Sequence, residues 1–166
     1  ADKGHEGCLR LLHELGGEAA YSLAAANAHG RTPAHYAAYY GNEGCLRVLR
    51  ELGGDAAASL SAADEDGDTP AHSAAQEGHE GCLRLLHELG GDAAASLSAA
   101  DEDGDTPAHL AAANGHEGCL RVLHELLCVM IDPQLAMLAG SFASTARDDL
   151  VEELRARRSL AWTRVM

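Results

Sequence analysis

Residues 55–72 read Asp-Ala-Ala-Ala-Ser-Leu-Ser-Ala-Ala-Asp-Glu-Asp-Gly-Asp-Thr-Pro-Ala-His, and residues 92–109 repeat those 18 positions without a change. The closing tetrapeptide Thr-Pro-Ala-His begins at Thr32, Thr69 and Thr106, always 37 residues apart. Cys8, Cys45, Cys82 and Cys119 keep the same interval. A fixed period of this size is the signature of a solenoid, in which each unit buries its apolar face only on its neighbours.

One period can be read physically. Thr69 before Pro70 is an N-cap followed by a proline at the first helical position, where the missing N–H costs nothing. A short helix is expected through Glu77, ended by Gly78 in the left-handed conformation. A second helix is expected from about His79 to Leu89. Cys82, Leu83, Leu85, Leu86 and Leu89 form its apolar face, and Arg84, His87 and Glu88 lie opposite. Gly90-Gly91 stops it. Asp92 is expected to cap a further turn, Ala93–Leu97, and Asp101–Asp105 to form a polar turn before Thr106. Helices of about ten residues are too short to be stable alone, so stacking is required.

Composition agrees with thin, closely packed layers. The 166 residues include 33 Ala but one Phe and one Trp, so no broad aromatic core can form. The net charge of −14 argues against nucleic acid and against anionic lipid as partners, because both are bound through Lys and Arg. The charge is carried by residues 1–131, since residues 132–166 hold five basic and five acidic residues. No run of 18 apolar residues exists to insert in a membrane. The chain starts at Ala1 without a signal-like segment, and the expectation is a piece or processed form of a longer chain.

Gly67-Asp68-Thr69-Pro70-Ala71-His72, then Ala74-Ala75, Gly78-His79, the Leu-rich second helix and Gly90 resemble the ankyrin repeat. The pattern recurs at 30–53, 67–90 and 104–126 and covers about residues 1–130. The repeat wording is also similar to that of arrays in unicellular algae. Two features depart from the family. The unit has 37 residues where the family has 33, with the extra four between Gly90 and Thr106, and Ala71 stands where Leu is usual. The resemblance implies an all-α solenoid of helix-turn-helix units with hairpin-like loops. Residues 1–131 would hold one partial and three full repeats. The partial one contributes a helix at about His5–Leu15 whose inner side is left uncovered. At the other end Leu127-Cys128 replaces Gly-Gly, so the last helix is expected to reach about Ile131. Residues 132–166 are expected to form a helical cap, with a helix from Pro133 to about Leu138 and another at about 146–160 capped by Ser144 or Thr145.

Motifs that invite chemistry also have structural readings. His35, His72 and His109 recur in register, and the resemblance implies that they support helix starts. His79 and Cys82 share a helix side, as do His5 with Cys8 and His116 with Cys119. Zinc needs four converging ligands, and Asn42 breaks the series. The Cys residues are therefore expected as buried packing groups, with no disulfides between equivalents, which favours a reducing intracellular compartment. Cys128 lies outside the series. Asp64–Asp68 starts like a calcium loop, but Thr69 and Ala75 stand where Gly and Glu are required, so a solvated hairpin tip is expected. No metal, cofactor or catalytic constellation is expected.

What remains is the surface. The resemblance places binding residues at hairpin tips and on exposed first-helix positions of the concave side. In the first complete unit these are Ala28, His29, Arg31, Tyr39 and Tyr40. In the second they are Glu65, Asp66, Asp68, Gln76 and Glu77, and in the third Glu102, Asp103, Asp105, Ala113 and Asn114. Tyr36 shares the position of Ser73 and Leu110 and is expected to be buried. Tyr39 and Tyr40 are the expected anchors, because Tyr favours interface hot spots. The function expected is non-catalytic binding of a protein with a basic surface. The alternative is a structural subunit docked through its ends into a large assembly, such as an organellar or photosynthetic complex.

Overall fold

The computed structural model describes residues 3–131. The expected cap of residues 132–166, with its two helices, lies outside the described residues. The repeats lie in one compact unit that ends at Leu127.

Ten helices are described. They are α1 (Glu6–Leu15), α2 (Gly17–Tyr21), α3 (Pro33–Tyr39), α4 (Glu43–Leu52), α5 (Gly54–Ala58), α6 (Pro70–Gln76), α7 (Glu80–Leu89), α8 (Gly91–Ala95), α9 (Pro107–Ala113) and α10 (Glu117–Ile131). The first helices α3, α6 and α9 pack side by side in one layer, and α1, α4 and α7 in a second. The solenoid, its helix bounds and the extension of the last helix to Ile131 agree with the sequence reading.

The composition explains how the layers meet. Ala34, Ala37 and Ala38 in α3, Ala71, Ala74 and Ala75 in α6, and Ala111 in α9 are fully buried. A methyl group on each lets the short helices approach closely, and the departure Ala71 takes part in that row. Leu46 and Leu49, Leu83 and Leu86, and Val122 and Leu123 fill the space between the layers. Leu23, Leu60 and Leu97 close the core from the excursion after each second helix, and Leu97 is held in a 3₁₀ turn at Ser96–Ser98. The excursion of each unit thus contributes a buried leucine. On α1, Leu11 and Leu15 are 53% and 67% exposed, so its inner side is uncovered, as expected.

One local expectation is corrected. α8 starts at Gly91 with Gly90 at its N-cap, so Asp92 lies inside the first turn and makes no side-chain cap. The glycine pair already supplies the turn geometry, and Asp92 acts through its charge near the positive helix end.

Each first helix begins with a reciprocal cap. The Thr69 N–H donates to His72 Nδ1 at 3.1 Å, and the His72 N–H returns to the Thr69 side chain. His72 Nε2 reaches the Asp105 carbonyl of the next unit at 3.2 Å. His35 repeats this, with Thr32 N–H at 3.1 Å and the Asp68 carbonyl at 2.9 Å. A backbone N–H must donate, so Nδ1 is unprotonated and Nε2 carries the proton. These are neutral structural histidines, and burial pushes the pKa of His35 down.

Glycine inside α4, α7 and α10 lies against a carboxylate of the preceding unit. A Cβ on Gly81 would collide with the Glu43 carboxylate, and Gly44 and Gly118 stand in the same relation to Glu6 and Glu80. An exposed ladder, Arg10–Glu51 at 2.6 Å, Arg47–Glu88 at 3.6 Å and Arg84–Glu125 at 3.2 Å, runs along the second helices. Such exposed pairs contribute about 0–1 kcal/mol each and mainly fix register.

Candidate interaction surface

The hairpin turns are built by their first residue. Asp64 Oδ1 accepts the N–H groups of Asp66 and Asp68, both at 3.0 Å, and the Asp64 N–H donates to the Asp68 carbonyl at 2.8 Å. Asp101 makes the same turn with Asp103 and Asp105, and Asn27 with His29 and Arg31. Successive turns are then joined by backbone bonds, Glu65 N–H to the His29 carbonyl at 3.2 Å and Glu102 N–H to the Asp66 carbonyl at 3.1 Å. Gly67 makes this approach possible. Its φ is +83°, and a Cβ there would lie 2.8 Å from the Glu102 nitrogen.

This packing divides the expected site residues. His29, Tyr39, Tyr40, Glu65, Asp66, Gln76, Glu102, Asp103, Asp105 and Asn114 are exposed, with Ala28 and Ala113. Asn114 Nδ2 donates to the Leu110 carbonyl at 2.9 Å. Glu77 is half-buried at the end of α6. Arg31 is also half-buried and is drawn into the fold, since its Nε donates to Asp64 Oδ2 at 3.0 Å. The Asp64 side chain is 1% exposed, which corrects the expectation that the whole 64–68 turn is solvated. A buried carboxylate needs its donors, and it has two backbone N–H groups and Arg31. Asp68 is half-buried at the next junction. The solvated acidic ridge is therefore Glu65, Asp66, Glu102, Asp103 and Asp105.

The tyrosines stand on α3, the first helix of the first complete unit. Tyr39 and Tyr40 are 38% and 51% exposed, with ring centroids 5.1 Å apart in an edge-to-face pair. Tyr36 is 38% exposed, which corrects the expectation of burial. The alanines flanking it take the buried positions, and its hydroxyl accepts from Asn27 Nδ2 at 3.0 Å on the hairpin side. Tyr36 is thus a surface residue that sequence reasoning left out. Its proximity in sequence to two exposed tyrosines was the available signal.

The geometry also answers the metal readings. His79 Nε2 meets the Tyr39 carbonyl and His116 Nε2 the Gln76 carbonyl, both at 2.9 Å, so each His latches its unit to the one before. Cys45, Cys82 and Cys119 are buried free thiols, and burial pushes Cys82 up to about 12 and Cys119 up to about 11. Buried and protonated, such thiols pack like small apolar groups. Cys8 is exposed. Ligand atoms of Asp68, His72 and Asp101 lie within 4.8 Å of one another. Both His72 nitrogens are already engaged, by Thr69 and by the Asp105 carbonyl, so that set offers two carboxyl groups and no imidazole. No helix among the described residues is long and apolar enough to cross a membrane.

Comparison with known families matches residues 1–50 to ankyrin repeats (many copies) and residues 55–135 to ankyrin repeats (3 copies). No curated protein matches the chain. Ankyrin repeat proteins are typically non-catalytic, and their repeats generally mediate protein–protein interaction. With both halves of the array matched and the capped helix pairs stacked in register, the chain belongs to the ankyrin repeat family.

Proposed function

We propose that this chain binds a partner protein along its first-helix face and hairpin tips. Tyr39 and Tyr40 are the anchors, and Glu65, Asp66, Glu102, Asp103 and Asp105 steer a basic surface onto them. The observation that carries the reading is the exposed edge-to-face pair Tyr39–Tyr40 at the end of α3. Tyrosine offers large, rigid contact area at low entropic cost, and acidic tips raise the association rate for a basic partner.

The test is capture of partners from a cell extract by the wild-type chain and by Tyr39→Ala/Tyr40→Ala. Circular dichroism checks that the variant is folded. The double variant should lose more than tenfold in affinity, and binding should weaken with salt. Unchanged affinity in a folded variant would remove the tyrosines as anchors.

A second reading, a subunit docked by its end into a larger assembly, is favoured by the exposed Leu11 and Leu15 on α1. The isolated chain separates the two. A folded monomer supports the first reading, and aggregation without a partner supports the second.

A further inference from the structure

The first two hairpin junctions have the same backbone and opposite chemistry. At the first, Arg31 Nε donates to Asp64 Oδ2 at 3.0 Å. At the second, Asp101 occupies the place of Asp64 and accepts its own turn's N–H groups on Oδ1, from Asp103 at 2.9 Å and Asp105 at 2.8 Å. The residue one period after Arg31 is Asp68. A carboxyl group therefore faces a carboxylate, with oxygens of Asp68 and Asp101 within 4.8 Å. Asp68 Oδ1 is buried and has no hydrogen-bond partner.

We propose that Asp68 and Asp101 make the junction between the second and third hairpins proton-operated. A proton on Asp68 supplies the donor that Arg31 supplies at the first junction, and ionisation of Asp68 removes it and sets two negative charges together. Asp101 is the acceptor, since its Oδ1 already takes two backbone N–H groups. The groups facing Asp68 come from three units. They are Arg31 and the neutral His35 before it, Asp64 and His72 in its own unit, and Asp101 after it. Burial raises the Asp68 pKa most, and Asp64 and Asp101 raise it further against the pull of Arg31; His72 would oppose it only as an imidazolium, and here its Nδ1 accepts the Thr69 N–H.

A raised folded-state pKa means that the folded chain holds a proton the unfolded chain releases. The junction is tightest in the ordinary aspartate range near 3.8 and loosens as pH rises through the raised value. The Glu102 N–H to Asp66 carbonyl bond crosses this same junction. Its spacing sets the distance between the two acidic tips, so the ridge itself responds to pH.

The test has two arms on the full chain. Carboxyl NMR titration should show Asp68 titrating above the ordinary aspartate value. Asp68 at or below its ordinary value would overturn the proposal. In thermal unfolding, Asp68→Asn should raise the midpoint by roughly 2–6 °C at pH 8. That gain should vanish toward pH 4. Asp68→Arg should keep its gain across the range by remaking the Arg31–Asp64 pair. The exposed control Glu14→Gln removes one charge far from the junction and should not move the midpoint. An Asp68→Asn gain that is absent at pH 8, equal at both pH values, or matched by Glu14→Gln would refute it.

Discussion

Replacing His72 with Ala should cost far more than the same change at His109, although both sit in identical Thr-Pro-Ala-His tetrapeptides. Each substitution removes the reciprocal helix cap, a loss of about 1 kcal/mol. His109 is 64% exposed, so little else is lost there. His72 is fully buried, and its removal also strips the Asp105 carbonyl of its cross-unit donor. That carbonyl keeps the Asp101 N–H at 2.8 Å, so the loss is one hydrogen bond, about 0.5–1.5 kcal/mol. The void left by the ring adds about 24 cal/mol per Å3 of residual cavity. His72→Ala is therefore expected to cost about 2–4 kcal/mol and His109→Ala about 1 kcal/mol. Urea unfolding followed by circular dichroism and by tyrosine fluorescence reads both. Coincidence of the two probes checks that the array unfolds as one unit. Equal losses for the two variants would refute the claim that these histidines join successive units rather than only starting helices.

Two further outcomes rest on the same packing. His35 is held neutral, with its pKa below the ordinary 6.5, so the folded chain binds fewer protons than the unfolded one. Its contribution is complete above 6.5 and is lost as pH falls through the lowered value. The urea midpoint of wild type should therefore drop between about pH 7.5 and 5.5 more than that of His35→Gln, and parallel drops would contradict the assignment. Gly67→Ala should cost about 2–4 kcal/mol, from the positive φ and the collision with the Glu102 backbone. Gly104→Ala, with φ +87° but open space around it, should cost about 1–2 kcal/mol, from φ alone. A thermal melt of each variant compares them, and an equal loss would show that the close approach of the hairpins is not limiting.

The period of 37 residues carried most of the fold, because helix starts, stops and apolar faces are local signals that recur in register. Thr69-Pro70 and the Leu pattern after His79 were enough to place α6 and α7. What stayed hidden was contact between units. Nothing in helical periodicity relates Arg31 to Asp64, or His79 to the Tyr39 carbonyl, since these lie 33 and 40 residues apart. Arg31 therefore read as a free surface cation, and Asp64 as part of a solvated tip. Tyr36 read as buried because its equivalents are Ser73 and Leu110, yet the position only borders the core. Asp92 read as a cap because a side-chain capper is favoured over glycine, but the Gly90-Gly91 pair had already set the turn. The candidate surface was legible as a set of positions, and the structure narrowed it to the residues that the hairpin junctions leave exposed.

The central claim is that binding uses the tyrosine and hairpin face. Hydrogen–deuterium exchange of the chain, alone and with a captured partner, tests it most directly. The account predicts added protection over residues 36–42, 64–68 and 101–105, and none on α1. Protection confined to α1 around Leu11 and Leu15, with the hairpins unchanged, would contradict it and favour end-on docking.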